Sequence, residues 1–162
     1  MSDAILVLNA GSSSIKFSVF PSHDQPNRQD IMCEGECEGI GHRVHFTAKD
    51  RAGASLVDEY LAEGTSHEEA LAALLRWLED RFTDHQLVAA GHRVVHGGSL
   101  YAAPVLVDAS VSAELRRLIP LAPLVFLLFY NRVVGYEKNR VFYAMMVVIP
   151  VLAAVMTILK IA

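Results

Sequence analysis

Cysteine is scarce in this chain of 162 residues: there are two, Cys33 and Cys37. They stand in Cys33-Glu34-Gly35-Glu36-Cys37, which is not the redox Cys-x-x-Cys spacing, and two thiolates do not close a tetrahedral zinc site. So few cysteines imply no disulfide framework; the expected state is two reduced thiols on one face of a strand. Positive charge is also in short supply. With 14 Lys+Arg against 18 Asp+Glu the formal net charge is −4, so nothing points to nucleic acid as a partner. The N-terminus has no basic leader, and its first apolar run, residues 4–8, is too short for a signal peptide. The first part of the chain therefore reads as cytoplasmic. Internal repeats and low-complexity tracts are lacking, and no Gly-x-x-x-x-Gly-Lys-Ser/Thr loop occurs.

The whole-chain charge hides a split. Residues 1–124 hold ten Lys+Arg and seventeen Asp+Glu, a balance of −7. Residues 125–162 hold Arg132, Lys138, Arg140 and Lys160 against Glu137, a balance of +3. The vocabulary changes at the same place, from Ala, Gly, Arg and Glu to Val, Phe, Tyr, Met and Ile. The reading is two segments of different origin, 1–124 and 125–162.

Within the first segment, residues 4–8 form an aliphatic run that predicts a buried strand. Residues 9–14 are a turn by composition, with Gly11 free to take positive φ and serines able to bond local backbone. Ile15, Phe17 and Val19 then alternate as in a second strand, ended by Pro21. Residues 31–40 and 44–48 predict further strands, while residues 56–61 carry no decisive pattern. Ser66 with Glu69 three residues on is a capping box for a helix whose apolar stripe is Leu71, Leu74, Leu75, Leu78 and Phe82. That stripe, with Trp77, reads as a helix packed on a sheet. Residues 87–95 predict a strand running into the Gly97-Gly98 turn, and residues 110–119 a second helix. The order of elements predicts a mixed α/β domain.

Two motifs carry chemistry. Asn9-Ala10-Gly11-Ser12-Ser13-Ser14-Ile15-Lys16 is a tight loop with hydroxyls, an amide, backbone N–H groups and an ammonium. Converging donors of this kind suit phosphate oxygens; a plain serine-rich hairpin turn would have the same composition. Gly91-His92-Arg93-Val94-Val95-His96-Gly97-Gly98 puts a guanidinium at a strand end, where it can grip phosphate bidentately. Two histidines flank it, beside a glycine turn that would let a substrate come close. Phosphoryl transfer needs cationic donors around the moving group more than it needs a covalent nucleophile.

The run from Ile5 to Lys16 resembles the N-terminal signature of acetate kinases. Residues 91–98 resemble a second segment of the same enzymes, and Leu121-Ala122-Pro123-Leu124 is similar to the stretch that follows it. The wording of these motifs fits acetate or propionate kinases better than butyrate kinases. The resemblance covers residues 4–124. It implies an α/β fold: an incomplete N-terminal lobe of an actin-like, sugar-kinase-like (ribonuclease H-like) architecture. It implies transfer of the γ-phosphoryl of ATP, with magnesium, to acetate or another short carboxylate, giving acetyl phosphate. Residue by residue, it implies that Asn9, Ser12, Ser14 and Lys16 organise the phosphate side of the cleft, with Asn9 also near the magnesium. Arg93 would bind the carboxylate or phosphoryl group and stabilise transition-state charge. Val95 and Leu124 would line the pocket for the methyl, where one methyl group is worth about 1–3 kcal/mol, so propionate should compete.

The family pattern continues from Leu-Ala-Pro-Leu into His-Asn-Pro, but here Leu124 leads into Val125-Phe126-Leu127-Leu128-Phe129-Tyr130. The family's catalytic Asp, later His, second Arg, Gly-rich nucleotide loop and magnesium-binding Glu find no counterpart by motif. The expectation is a truncated kinase segment without turnover of its own, with the family's homodimer contacts mostly missing. Residues 141–159 are nineteen in a row without charge, roughly 28 Å as a helix, long enough to cross a bilayer. Arg132, Lys138 and Arg140 precede this run, so a transmembrane helix here would hold the first segment in the cytoplasm. That gives the alternative reading: a membrane-tethered, non-enzymatic module binding acetate or acetyl phosphate.

Overall fold

The computed structural model describes residues 2–23, 26–94, 104–118 and 143–148. Strand β1 (Ser2–Ala10) turns back into β2 (Ser14–Pro21), and a single 3-10 turn at Arg28–Asp30 leads to β3 (Cys33–Glu38), β4 (Arg43–Asp50) and β5 (Ser55–Glu63). Helix α1 (His67–Arg81) follows, then β6 (His85–Val94), the short β7 (Val105–Leu106), α2 (Ala109–Leu118) and β8 (Tyr143–Val148). The strands form one sheet in the order β5-β4-β3-β2-β1-β6-β8-β7. From β5 to β1 every pairing is antiparallel; β6 lies parallel to β1, and β8 parallel to β6. Short turns join β1 to β2, β3 to β4 and β4 to β5, and a longer segment with the 3-10 turn joins β2 to β3. The antiparallel-to-parallel change comes where α1 provides the long crossover that a parallel partner requires.

Alternation decides the two faces. Ala4, Leu6, Leu8 and Ala10 of β1 are buried, as are Ile15, Phe17 and Val19 of β2, Cys33 and Cys37 of β3, and Val44, Phe46 and Ala48 of β4. These side chains share one core with Ala70, Leu71, Leu74 and Leu78 of α1. Helix α1 begins where the capping box predicts: Ser66 caps it, the Glu69 N–H donates to Ser66 Oγ, and the Ser66 N–H donates back to the Glu69 carboxylate. Trp77 packs its ring edge-on between Phe46, at 5.4 Å, and Phe82, at 6.3 Å. At the far end, Asp108 accepts the Val111 N–H and opens α2. Gly35 lies between the cysteines because a Cβ there would sit 2.2 Å from the Thr47 carbonyl oxygen and 2.7 Å from the Phe17 ring. Cys33 and Cys37 are both free and 0 % exposed. Burial pushes each thiol up to about 12.

Two sequence expectations change. Residues 56–61, left open, belong to the edge strand β5, which carries Asp58, Glu59 and Glu63, charges that discourage pairing with a further strand. The membrane helix expected over 141–159 meets β8 at Tyr143–Val148, hydrogen-bonded between β6 and β7. A continuous apolar run has no period, and one rich in Val, Tyr and Met suits a parallel strand covered on both faces as well as it suits a span. The rest of that run lies outside the described residues. Among the described residues no helix is long and apolar enough to cross a membrane.

Candidate functional site

The site is built by two parallel neighbours. In the β1–β6 register, Leu6 stands beside Ala90 and Leu8 beside His92; one residue further along each strand come Asn9 and Arg93. The serine turn that follows β1 and the arginine near the end of β6 thus leave the sheet at the same carboxyl edge. The register also fixes their face. Leu8 and His92 point into the core, so Asn9 and Arg93 point to the opposite face, and both are exposed. Asn9 pairs directly with Lys16 on β2, Lys16 with Glu36 on β3, Glu36 with Thr47 on β4, and Thr47 with Asp58 on β5. One polar row therefore crosses the sheet, with its amide and two of its cations, Lys16 and Arg93, gathered at the β6–β1–β2 end.

Lys16 is not idle on this row. Its ammonium lies 3.4 Å from the Glu36 carboxylate, with the two side chains 63 % and 37 % exposed. An exposed pair of this kind is worth about 0–1 kcal/mol, so an incoming phosphate can draw Lys16 away at little cost. Lys49 and Glu34 make a similar pair at 3.2 Å. A groove of about 570 Å³ runs over this face, lined by Asn9, Lys16, Ser18, Thr47, Lys49 and Asp58 among others. The groove brings Asn9 and Lys16 together; Ser12, Ser14 and Arg93 lie beyond its lining.

The turn between β1 and β2 is braced on three sides. The Gly11 N–H donates to the Ser14 carbonyl at 2.8 Å. The Ser13 carbonyl accepts from Gly39 and Ile40, both at 3.0 Å. The Gly11 carbonyl accepts from the His67 ring at 2.9 Å. Ser12 is exposed and Ser14 half-buried. Gly11 does not use its freedom to take positive φ; among the described residues the glycines that do are Gly39, Gly41, Gly53 and Gly64. A Cβ on Gly11 would meet Ser14 Oγ only at 3.6 Å, so the turn itself tolerates a side chain.

His92 differs from its expected place beside a substrate. It is 3 % exposed, on the core face, and burial pulls its imidazole down to about 4 against a small opposing contribution from the Arg93 backbone. Its strand partner, not its neighbours in sequence, decides its direction. His96, Val95 and Leu124 lie outside the described residues. Among the described residues no three His, Cys, Asp or Glu side chains converge to hold a metal. Asn9 offers a single oxygen donor with an ammonium as its cross-strand neighbour, a set that does not by itself fit a magnesium ion. Sequence reasoning missed His67, whose contact spans 56 residues. The available signal was the capping box, which makes His67 the first residue of α1.

Known proteins resemble this chain in sequence and fold. An acetate kinase of Rhodopseudomonas palustris (strain TIE-1) is 51% identical over 124 residues, which are 76% of this chain and 31% of that protein. Two crystal structures share the fold. A propionate kinase from Francisella tularensis matches with TM-score 0.68 and 29% identity, over 91% of this chain and 37% of that one. The acetate kinase of Porphyromonas gingivalis matches with TM-score 0.70 and 26% identity over the same shares. The chain spans about a third of the length of these relatives. The model of the Acetokinase family matches residues 4–143, running past Leu124, where the sequence motifs stop. With that match over most of its length, the chain belongs to the acetokinase family.

Proposed function

We propose that this chain carries the anion-gripping wall of an acetate kinase, the surface on which a carboxylate and a phosphoryl group meet. The observation behind the reading is the shared carboxyl edge of β1 and β6, which brings the serine turn and Arg93 to one end and one face of the sheet. In this role Arg93 and Lys16 neutralise the phosphoryl oxygens, Asn9 and the hydroxyls of Ser12 and Ser14 donate to them, and Val95 and Leu124 line the space for the methyl group. The reaction is in-line transfer from ATP. An acetate oxygen forms a bond to the γ-phosphorus as the bond to the β,γ-bridging oxygen breaks, and ADP departs with the electron pair. The protein's contribution is position and fixed positive charge. Magnesium, when bound, would neutralise phosphate oxygens; the described residues give it no site of their own.

The chain covers 31% of the Rhodopseudomonas relative. The activity proposed for the chain by itself is therefore binding; turnover belongs to a polypeptide that also carries the rest of the family's length. Titration with acetyl phosphate, followed residue by residue in ¹H–¹⁵N spectra, tests this. The backbone resonances of Ser12, Ser14, Lys16 and Arg93 should move together with one dissociation constant. Arg93→Ala should weaken binding by about tenfold to a hundredfold, the loss of a charged hydrogen bond. Perturbations confined to other parts of the sheet would contradict the proposal.

A further inference from the structure

We propose that His67 is a positioning residue for the serine turn, aiming a backbone N–H at the bound anion. Three observations carry this. The first is the hydrogen bond of 2.9 Å between His67 Nε2 and the Gly11 carbonyl. A carbonyl only accepts, so the Nε2 proton is on that nitrogen and donates. The second is that the described backbone contains no cis peptide. In a trans peptide the C=O and the following N–H point in opposite directions. A Gly11 carbonyl drawn toward α1, which covers the core face, turns the Ser12 N–H away from it, toward the face that carries Asn9, Lys16 and Arg93. The third is that His67 itself has a fixed base. It follows Ser66 in the capping box, where Glu69 accepts from the Ser66 N–H at 2.8 Å and from its hydroxyl at 2.7 Å.

The brace continues behind it. The Gly41 N–H donates to the Thr65 carbonyl, and the Gly64 N–H to the His42 carbonyl at 2.6 Å, so the turn that holds Ser13 is tied to the segment that starts α1. The helix start and the anion turn then move as one body. His67 touches no substrate in this scheme; it acts through the Gly11–Ser12 peptide group. The hydrogen bond to that group stands on the structure alone, while its use for an anion rests on the function proposed above.

The test compares wild type, His67→Ala, His67→Gln and the exposed neighbour Glu68→Ala. Long-range ¹H–¹⁵N correlations should show neutral His67 as the Nε2–H tautomer. His67→Ala should shift the Gly11 carbonyl and Ser12 amide resonances and weaken acetyl phosphate binding by about threefold to tenfold, the range for one lost hydrogen bond. His67→Gln, whose amide can donate to the same carbonyl, should restore both. Glu68→Ala should change neither. A Nδ1–H tautomer in the wild type, or Gly11 and Ser12 resonances indifferent to His67→Ala, would overturn the proposal, and the tautomer decides even if the alanine variant does not fold. Resonances that respond as expected in a protein that takes up no acetyl phosphate would leave His67 as positioner and remove the proposed function instead.

Discussion

Strands β1 to β4 have two faces that differ in almost every respect. On one, Leu6, Phe17, Cys37 and Phe46 are sealed against α1. On the other, Asn9, Lys16, Glu36 and Thr47 stand in a row, in or near solvent. Because successive side chains alternate, neighbouring residues of each strand serve opposite faces, and neither face can shift register without ruining the other. Stability is concentrated on the α1 side, whereas the proposed anion chemistry would use the open side and the carboxyl edge. The two should therefore respond separately to mutation.

The sharpest way to break the comparison is to empty the covered face. Phe46→Ala removes a ring that packs on both Phe17 and Trp77 and should cost about 3–5 kcal/mol in urea unfolding. Acid should weaken the same face through His92. The unfolded chain takes up a proton near 6.5, whereas the buried imidazole resists until about 4. Stability is thus whole above pH 6.5 and falls as the pH drops through that window, by an amount on the order of 3 kcal/mol. His92→Gln should flatten that slope when urea midpoints are followed against pH. Gly35→Ala comes next. Its Cβ would press on the Thr47 carbonyl and the Phe17 ring, an overpacking cost of about 1–3 kcal/mol seen as a lower midpoint.

The sequence predicts what is local. The β1–β2 hairpin is legible from the alternation of Ile15, Phe17 and Val19, and α1 from the Ser66–Glu69 pair and its leucine stripe. The cysteines lie where their spacing in a strand puts them. What escapes is decided by partners distant in the chain. The run at Tyr143–Val148 becomes a strand because β6 is there to pair with it. His92 turns inward because its register partner is Leu8, and nothing in Gly91-His92-Arg93 reveals which way β6 will face. Asn9, Lys16 and Arg93 were legible as residues with the right chemistry; that they share one face came from the pairing of β1 with β2 and β6.

The central claim is that Lys16 and Arg93, 77 positions apart in sequence, act on one anion. A double-mutant cycle with Lys16→Met and Arg93→Ala, read by acetyl phosphate affinity, measures this directly. Two cations on a shared anion should give a coupling energy of about 0.5 kcal/mol or more, with the double variant losing less than the sum of the two single losses. Strict additivity, or affinity untouched by either substitution, would mean that the turn and the strand end do not form a common site.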